Sequence, residues 1–249
     1  MRPLLTLLIG LMALGVAGAA PAPAKPCRTE RFEGDSFTVC RYTPGGQDLR
    51  LVLTGRAAAP LRSLPALEVD LGPAAARVAF AMNAGIYGED GRPIGLYVED
   101  GRTVRKLNRR TSTDGSNFYM KPNGVFWVDA AGRPRVDETG AYAARAPKAV
   151  WATQSGPLLV GRGKLNPLFG RDGPSRYVRN GVGVKGEAAL FVISDRPVSF
   201  GRMARFLRDG LGCPDALYFD GSVSSLWAPS LGRQDSRDDL GPMVVVLTR

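Results

Sequence analysis

The stretch 188–225 constrains the fold more than any other part of this chain, because it reads as strand, helix, strand. Ala188 through Ser194 is a near-continuous apolar run ending at Asp195, the pattern of a strand buried on both faces. Ser199 is placed to cap a helix in which Phe200, Met203, Ala204, Phe206 and Leu207 recur at helical spacing, and Gly210 and Gly212 stop it. A second apolar run, Ala216-Leu217-Tyr218-Phe219, ends at Asp220-Gly221-Ser222. A helical crossover makes the two strands parallel, which puts Asp195 and Asp220 at carboxyl ends, where open α/β sheets bind ligands. Taken as neighbours about 4.8 Å apart, the strands would hold the two carboxyl groups roughly 5–10 Å from each other, a spacing that suits a carboxylate pair working on one substrate.

The chain contains no histidine. That excludes Ser-His-Asp and Cys-His nucleophile systems and an H-E-x-x-H zinc site. Acid–base chemistry falls to Asp, Glu, Lys, Tyr or Cys, and any metal would be a hard cation held by oxygens. No cofactor is expected, with Ca²⁺ or Mg²⁺ through oxygen ligands left open. Asp235, Asp238 and Asp239 form an acidic loop, either solvated or supplying calcium ligands.

Residues 1–24 read as a signal peptide: Arg2 is the positive start, Leu4 to Val16 the apolar stretch, and Ala17-Gly18-Ala19-Ala20 the small residues before cleavage. The apolar run is shorter than the roughly 18 residues a membrane span needs, so no stable membrane anchor is expected. Export to periplasm or medium makes Cys27 and Cys40 a natural disulfide and leaves Cys213 as a buried small hydrophobe. The net charge of +10 is scattered, with only short groups such as Lys106, Arg109 and Arg110. Nucleic acid is therefore not expected as a partner; anionic envelope polymers or phosphate-bearing substrates suit a basic surface better.

Further strands are expected over residues 49–54, 77–82, 156–160, 181–184 and 243–247, and a short helix from a Ser63 cap through Leu67. Hairpins are expected at Asp100-Gly101 and Ala131-Gly132. The sum is an α/β (or α+β) fold: one domain over residues 49–249, with a mixed sheet, several β-hairpins and the strand–helix–strand unit near its C-terminus. Residues 25–48 form an N-terminal segment before it. The G-x-G-x-x-G match at 181–186 leads into a strand instead of opening a helix, so it lacks the mechanism of a dinucleotide site.

Small polar-plus-glycine clusters recur at the ends of the apolar runs: Asn83-Ala84-Gly85, Pro122-Asn123-Gly124, Ser155-Gly156-Pro157, Arg179-Asn180-Gly181 and Asp220-Gly221-Ser222. Turn chemistry alone explains single pairs of this kind, whereas their repetition at strand ends points to backbone N–H groups brought close to a ligand. In this order, and with Ala81-Met82 before the first and Lys121 before the second, the clusters resemble those of the phosphodiester glycosidase family, in its exported bacterial branch. The resemblance covers roughly Leu49 to Leu247. It implies hydrolysis of the bond between a sugar's anomeric carbon and a phosphodiester, and it marks Asn83, Ser155, Arg179, Asp195 and Asp220.

In those roles Arg179 would clamp the anionic phosphodiester. Asn83, Ser155 and Asn180, with the backbone of Gly85, Gly156 and Gly221, would orient phosphate or sugar hydroxyls. Asp220 would be base or nucleophile and Asp195 its acid partner, as carboxylate pairs act in glycoside hydrolysis. Asn83-Ala84-Gly85 and Asp220-Gly221-Ser222 stand where family members often carry Asn-Gly-Gly and Asp-Gly-Gly-Gly-Ser. On that departure rests the alternative of a non-catalytic module binding an envelope glycan or anionic polymer.

Overall fold

The computed structural model describes residues 25–112, 115–237 and 239–249. The signal peptide expected over residues 1–24 and Asp238 of the acidic loop lie outside the described residues. Among the described residues, three sheets and three short α-helices, with a few short 3-10 and π turns, make up the fold. The first sheet runs β1 (Cys27–Phe32), β2 (Asp35–Tyr42), β13 (Ala188–Ser194), β12 (Asn180–Lys185), β14 (Asp215–Asp220), β10 (Leu158–Gly161) and β11 (Lys164–Leu165). The second runs β16 (Arg233–Gln234), β15 (Leu226–Ala228), β4 (Val78–Asn83), β17 (Met243–Thr248) and β3 (Gln47–Val52). The third runs β6 (Arg102–Arg105), β5 (Tyr97–Glu99), β9 (Trp151–Ser155), β7 (Gly124–Val128) and β8 (Pro134–Glu138).

Every ladder between these strands is antiparallel, so the α+β form of the expected class is the one adopted and no sheet is mixed. The crossover does leave β13 and β14 pointing the same way. They are not neighbours, however: β12 lies between them and is antiparallel to both. The tight turn at Lys185-Gly186 folds β12 directly onto β13, with Lys185 opposite Ala188, and closing so short a loop costs little chain entropy.

The connecting helix forms as its spacing requires. Ser199 Oγ accepts from Arg202 N at 3.1 Å, α3 spans Phe200–Arg205, and one π turn (Phe206–Gly210) ends it. Its apolar stripe (Met203, Ala204, Leu207) packs with Leu190, Val192, Ala216 and Tyr218 on one face of the first sheet. The opposite face carries Phe191, Ile193, Leu217 and Phe219 into the central core, where the other sheets contribute Phe80, Met82, Val244 and Phe126. Phe191 sits at that convergence, its ring 5.3 Å from Phe80 and 5.5 Å from Phe126. Burying a side chain of this size contributes about 1.5–3 kcal/mol.

The N-terminal segment set apart at residue 48 is built into the first sheet. β2 pairs along its length with β13, from Phe37 opposite Ser194 to Tyr42 opposite Ala189, and β1 covers its other edge. Cys27 lies directly opposite Cys40 and the two form a disulfide. Helix α1 (Leu64–Leu71) starts at the expected Ser63 cap and runs a turn beyond Leu67, to Gly72. Helix α2 (Thr139–Arg145) follows β8 directly, capped by the Glu138 carboxylate. No described helix is long and apolar enough to cross a membrane.

Candidate active site

β14 carries the Asp220 carboxyl out of the core to a cavity of about 420 Å³. The chain turns sharply after it, so three successive N–H groups converge on Asp220 Oδ1: Gly221 at 2.5 Å, Ser222 at 2.7 Å and Val223 at 3.3 Å. Oδ2 accepts no hydrogen bond from the described residues. Burial pushes the carboxyl above its ordinary pKa, against the lowering effect of those three N–H groups, and the Asp239 charge adds to the rise. The cavity is walled further by Tyr87, Glu89, Asn117 and Tyr218. Burial, followed by the charges of Asp220 and Asp239, pushes the Tyr87 phenol up to about 12, and its hydroxyl donates to the Asp239 carbonyl.

Behind Tyr218 lies Arg179, which is 0 % exposed. Its guanidinium is not the direct clamp expected from the sequence. Nε donates to Val198 O (2.9 Å), Nη2 to Ser175 O and Oγ (both 2.9 Å), and Nη1 to Tyr218 Oη (3.2 Å). The Phe200 ring lies 3.6 Å from its carbon. No carboxylate among the described residues pairs with it. Burial lowers its pKa, yet a guanidinium keeps its charge in proteins, so a cation without a counter-ion sits one side chain behind the cavity. Because Tyr218 Oη accepts from Arg179, its own proton is free to be donated elsewhere. Burial also holds that phenol well above its ordinary pKa, so it stays a donor.

Asn83, Asn180 and Ser155 brace the site from behind and do not line it. Asn180 Nδ2 donates to both Asn83 O (2.8 Å) and Asn83 Oδ1 (2.9 Å), and Ser225 N donates to the same Oδ1 (2.9 Å). Asn83 Nδ2 is buried without a partner among the described residues. Ser155 Oγ donates to Phe219 O at 3.1 Å, tying β9 to β14 one residue before Asp220. Gly85 and Gly156 are packing positions: a Cβ at Gly85 (φ +83°) would meet Thr153 Oγ1 at 2.3 Å, and one at Gly156 would meet Asn123 Cβ at 2.8 Å. Gly221 packs its Cα under Tyr218, where a Cβ would meet Oη at 2.1 Å.

Asp195 is not brought to this cavity. With β12 interposed, β13 and β14 are two strand spacings apart, roughly 10 Å. The Asp195 carboxylate instead accepts from Ser36 Oγ (2.6 Å) and Thr38 Oγ1 (3.1 Å) on β2, with Arg233 Nη1 at 3.6 Å. It does not line the cavity. The second carboxylate on the cavity is Glu89, which no motif in the sequence singles out. Tyr218 was missed because it stands inside an apolar run. The period of a strand was the available signal, since Tyr218 and Asp220, two apart, share a face. Among the described residues no group of three or more potential metal ligands converges, and Asp235 is engaged by Arg233 and Leu226 N. Cys213 is buried, and burial pushes its thiol up to about 12.

The cavity thus brings together a half-buried carboxyl, a phenol and a second carboxylate, with an unpaired cation behind the phenol, at the C-terminal end of a central strand of the first sheet. The family model described as phosphodiester glycosidase matches residues 76–241. An uncharacterized protein of Escherichia coli (strain K12), YigE, is 34 % identical over 198 residues, covering 77 % of this chain and 75 % of its own. The chain belongs to the phosphodiester glycosidase family. The catalytic domain of zebrafish N-acetylglucosamine-1-phosphodiester alpha-N-acetylglucosaminidase, auto-inhibited by its pro-peptide, shares the fold, with a TM-score of 0.60 at 15 % identity over 90 % of this chain and 81 % of that one. So does a Burkholderia pseudomallei K96243 protein described as exported, with a TM-score of 0.56 at 12 % identity over 86 % and 74 %.

Proposed function

We infer that this chain is an exported hydrolase that cleaves a sugar 1-phosphodiester at the anomeric carbon. The observation that carries the reading is Asp220: one oxygen fixed by three N–H groups, the other unengaged, beside a phenol backed by an uncompensated cation. Family membership and the zebrafish enzyme's printed specificity support the substrate class. The Cys27–Cys40 disulfide and the exported Burkholderia neighbour support export.

In this reading the sugar occupies the cavity and Asp220 acts at the anomeric carbon, as nucleophile or as the base that takes a proton from water. Water adds its oxygen to that carbon and gives a proton to the carboxylate base. The bond from the anomeric carbon to the bridging oxygen breaks with that oxygen staying on phosphorus, and the products are the free sugar and a phosphate monoester. The leaving group departs as an anion, so it needs positive charge more than it needs a proton. Tyr218, its oxygen held by Arg179, donates to a phosphate oxygen, and the guanidinium charge stabilises the anion from behind. Arg179 is thus a positioning residue. Glu89, at the exposed rim, is the second carboxylate on the cavity and takes the proton of the attacking water when Asp220 is the nucleophile.

The test is incubation of the mature protein, beside Asp220→Asn, with N-acetylglucosamine-1-phosphodiesters and other sugar 1-phosphodiesters, reading released sugar. Release by the wild type alone is expected. Saturable glycan binding without release by a folded protein would instead establish the non-catalytic module.

A further inference from the structure

A second, apolar groove of about 280 Å³ adjoins the cavity, and Asn117 lines both. Its walls are Leu168, Phe169, Met120 and Phe200, and Ser175 also lines it. Three features join it to the site. Phe200 stands edge-on to Tyr218, ring centroids 4.9 Å apart, so one aromatic pair separates the two spaces. Arg179 lies at that junction, bonded to Tyr218 on the cavity side and to Ser175 on the groove side. Leu168, 61 % exposed, is among the few large hydrophobics left in water, and Tyr177, 52 % exposed, has its ring 5.4 Å from the same guanidinium carbon. The floor of the groove is a stacked aromatic pair, Phe169 on Phe200 at an interplanar angle of 9°.

An ionised phosphodiester has a sugar on one side and an alcohol on the other. With the sugar in the cavity and the phosphate at the junction, where Arg179 supplies uncompensated positive charge, the alcohol is directed into the groove. The groove offers no charged side chain and few polar groups, so it selects carbon. We propose that this groove binds the alkyl chain of the substrate's alcohol, making the preferred substrate a sugar 1-phosphodiester of an apolar alcohol. The proposal rests on the hydrolase reading for the placement of sugar and phosphate. The chain's own contacts set the preference: Leu168 and Phe169 cover the alkyl carbons, and the Phe200 ring closes the end nearest the phosphate.

Two measurements separate this proposal from the hydrolase reading. The first is calorimetric binding of n-octyl phosphate and of methyl phosphate to the mature protein, which needs no turnover. Octyl phosphate is expected to bind at least about tenfold more tightly, because several CH₂ groups leave water. In Leu168→Ser the ratio between the two ligands should fall towards one; Leu168 is exposed, so this variant folds. Equal affinities in the wild type, or a preference that Leu168→Ser leaves intact, would overturn the groove. The second is the KM of octyl against methyl sugar 1-phosphodiesters, with the octyl ester expected to be at least about tenfold lower. Hydrolysis of both esters with equal KM would overturn the proposal and leave the hydrolase reading standing. Octyl selectivity in binding, lost in Leu168→Ser, with no hydrolysis of either ester would support the groove and refute the hydrolase reading.

Discussion

Gly221→Ala isolates the contact on which the site depends. Gly221 does not occupy the left-handed region, so alanine is compatible with its backbone and any effect comes from the added methyl. That Cβ would lie 2.1 Å from Tyr218 Oη and 3.3 Å from Arg179 Nη1. Restoring a contact of roughly 3.5 Å would require the hydroxyl to move by about 1.4 Å. Tyr218 cannot swing away cheaply: it is fully buried, edge-on to Phe200, and its oxygen holds the Arg179 hydrogen bond. Overpacking of this kind costs about 1–3 kcal/mol, and at about 2–4 °C per kcal/mol for a chain of this size the melting temperature should fall by about 2–12 °C. Displacing the phenol by about 1 Å should cut turnover of a sugar 1-phosphodiester by about 100-fold. Gly46→Ala, with nothing within 4 Å of the new Cβ, is the control and should be neutral in both assays. Calorimetry and released sugar read the two effects. Wild-type turnover in Gly221→Ala would refute the placing of Tyr218 against the reacting phosphate.

Further expectations concern charge and cross-linking. Asp220 has a raised folded pKa, so its contribution to stability is complete below the unfolded value and is lost as pH rises through the folded one. Asp220→Asn lacks that loss, so melting curves from about pH 4 to about pH 8 should show the variant gaining on the wild type; a constant gap would contradict the burial argument. Asp195→Ala should cost no more than about 1 kcal/mol and leave turnover within about threefold, whereas Glu89→Gln should lower it by about 100-fold; the reverse ranking would restore Asp195 to the chemistry. The Cys27→Ser/Cys40→Ser double variant removes a cross-link spanning 13 residues. By loop entropy it should lose about 3 kcal/mol, a drop in melting temperature of about 6–12 °C; an unchanged melt would mean the ladder alone holds β1.

The elements legible in the sequence are those whose burial is complete on a regular period. β13, α3 and β14 fall within a residue or two of their apolar runs, and Asp100 and Gly101 both take the positive φ that a two-residue hairpin turn requires. β1 escaped because four of its six residues are charged or hydroxylated and its outer edge faces water. The entry of β12 between β13 and β14 is invisible in either strand, since a crossover fixes direction but not adjacency. Asp220 could be found because a carboxylate followed by Gly-Ser ends a buried strand. Arg179 carries no comparable mark of its burial, because the partners that enclose it, Ser175, Val198 and Tyr218, come from three separate segments.

The clasped N-terminal hairpin bears on the order in which the molecule assembles. β2 finds its inner neighbour only at β13, and the Ser36–Asp195 bond that closes this ladder joins residues 159 apart. Contacts so distant in the chain form slowly, and a two-stranded hairpin left alone in water is barely stable. The disulfide lets β1 and β2 wait as a unit, with one edge of β2 already satisfied. Once reduced, the same segment would present Phe37 and Val39 on a strand open along both sides, a template for pairing with other copies before its own partner arrives. Reducing the cysteine pair at the start of the fold should therefore lower refolding yield as well as the stability of the finished protein.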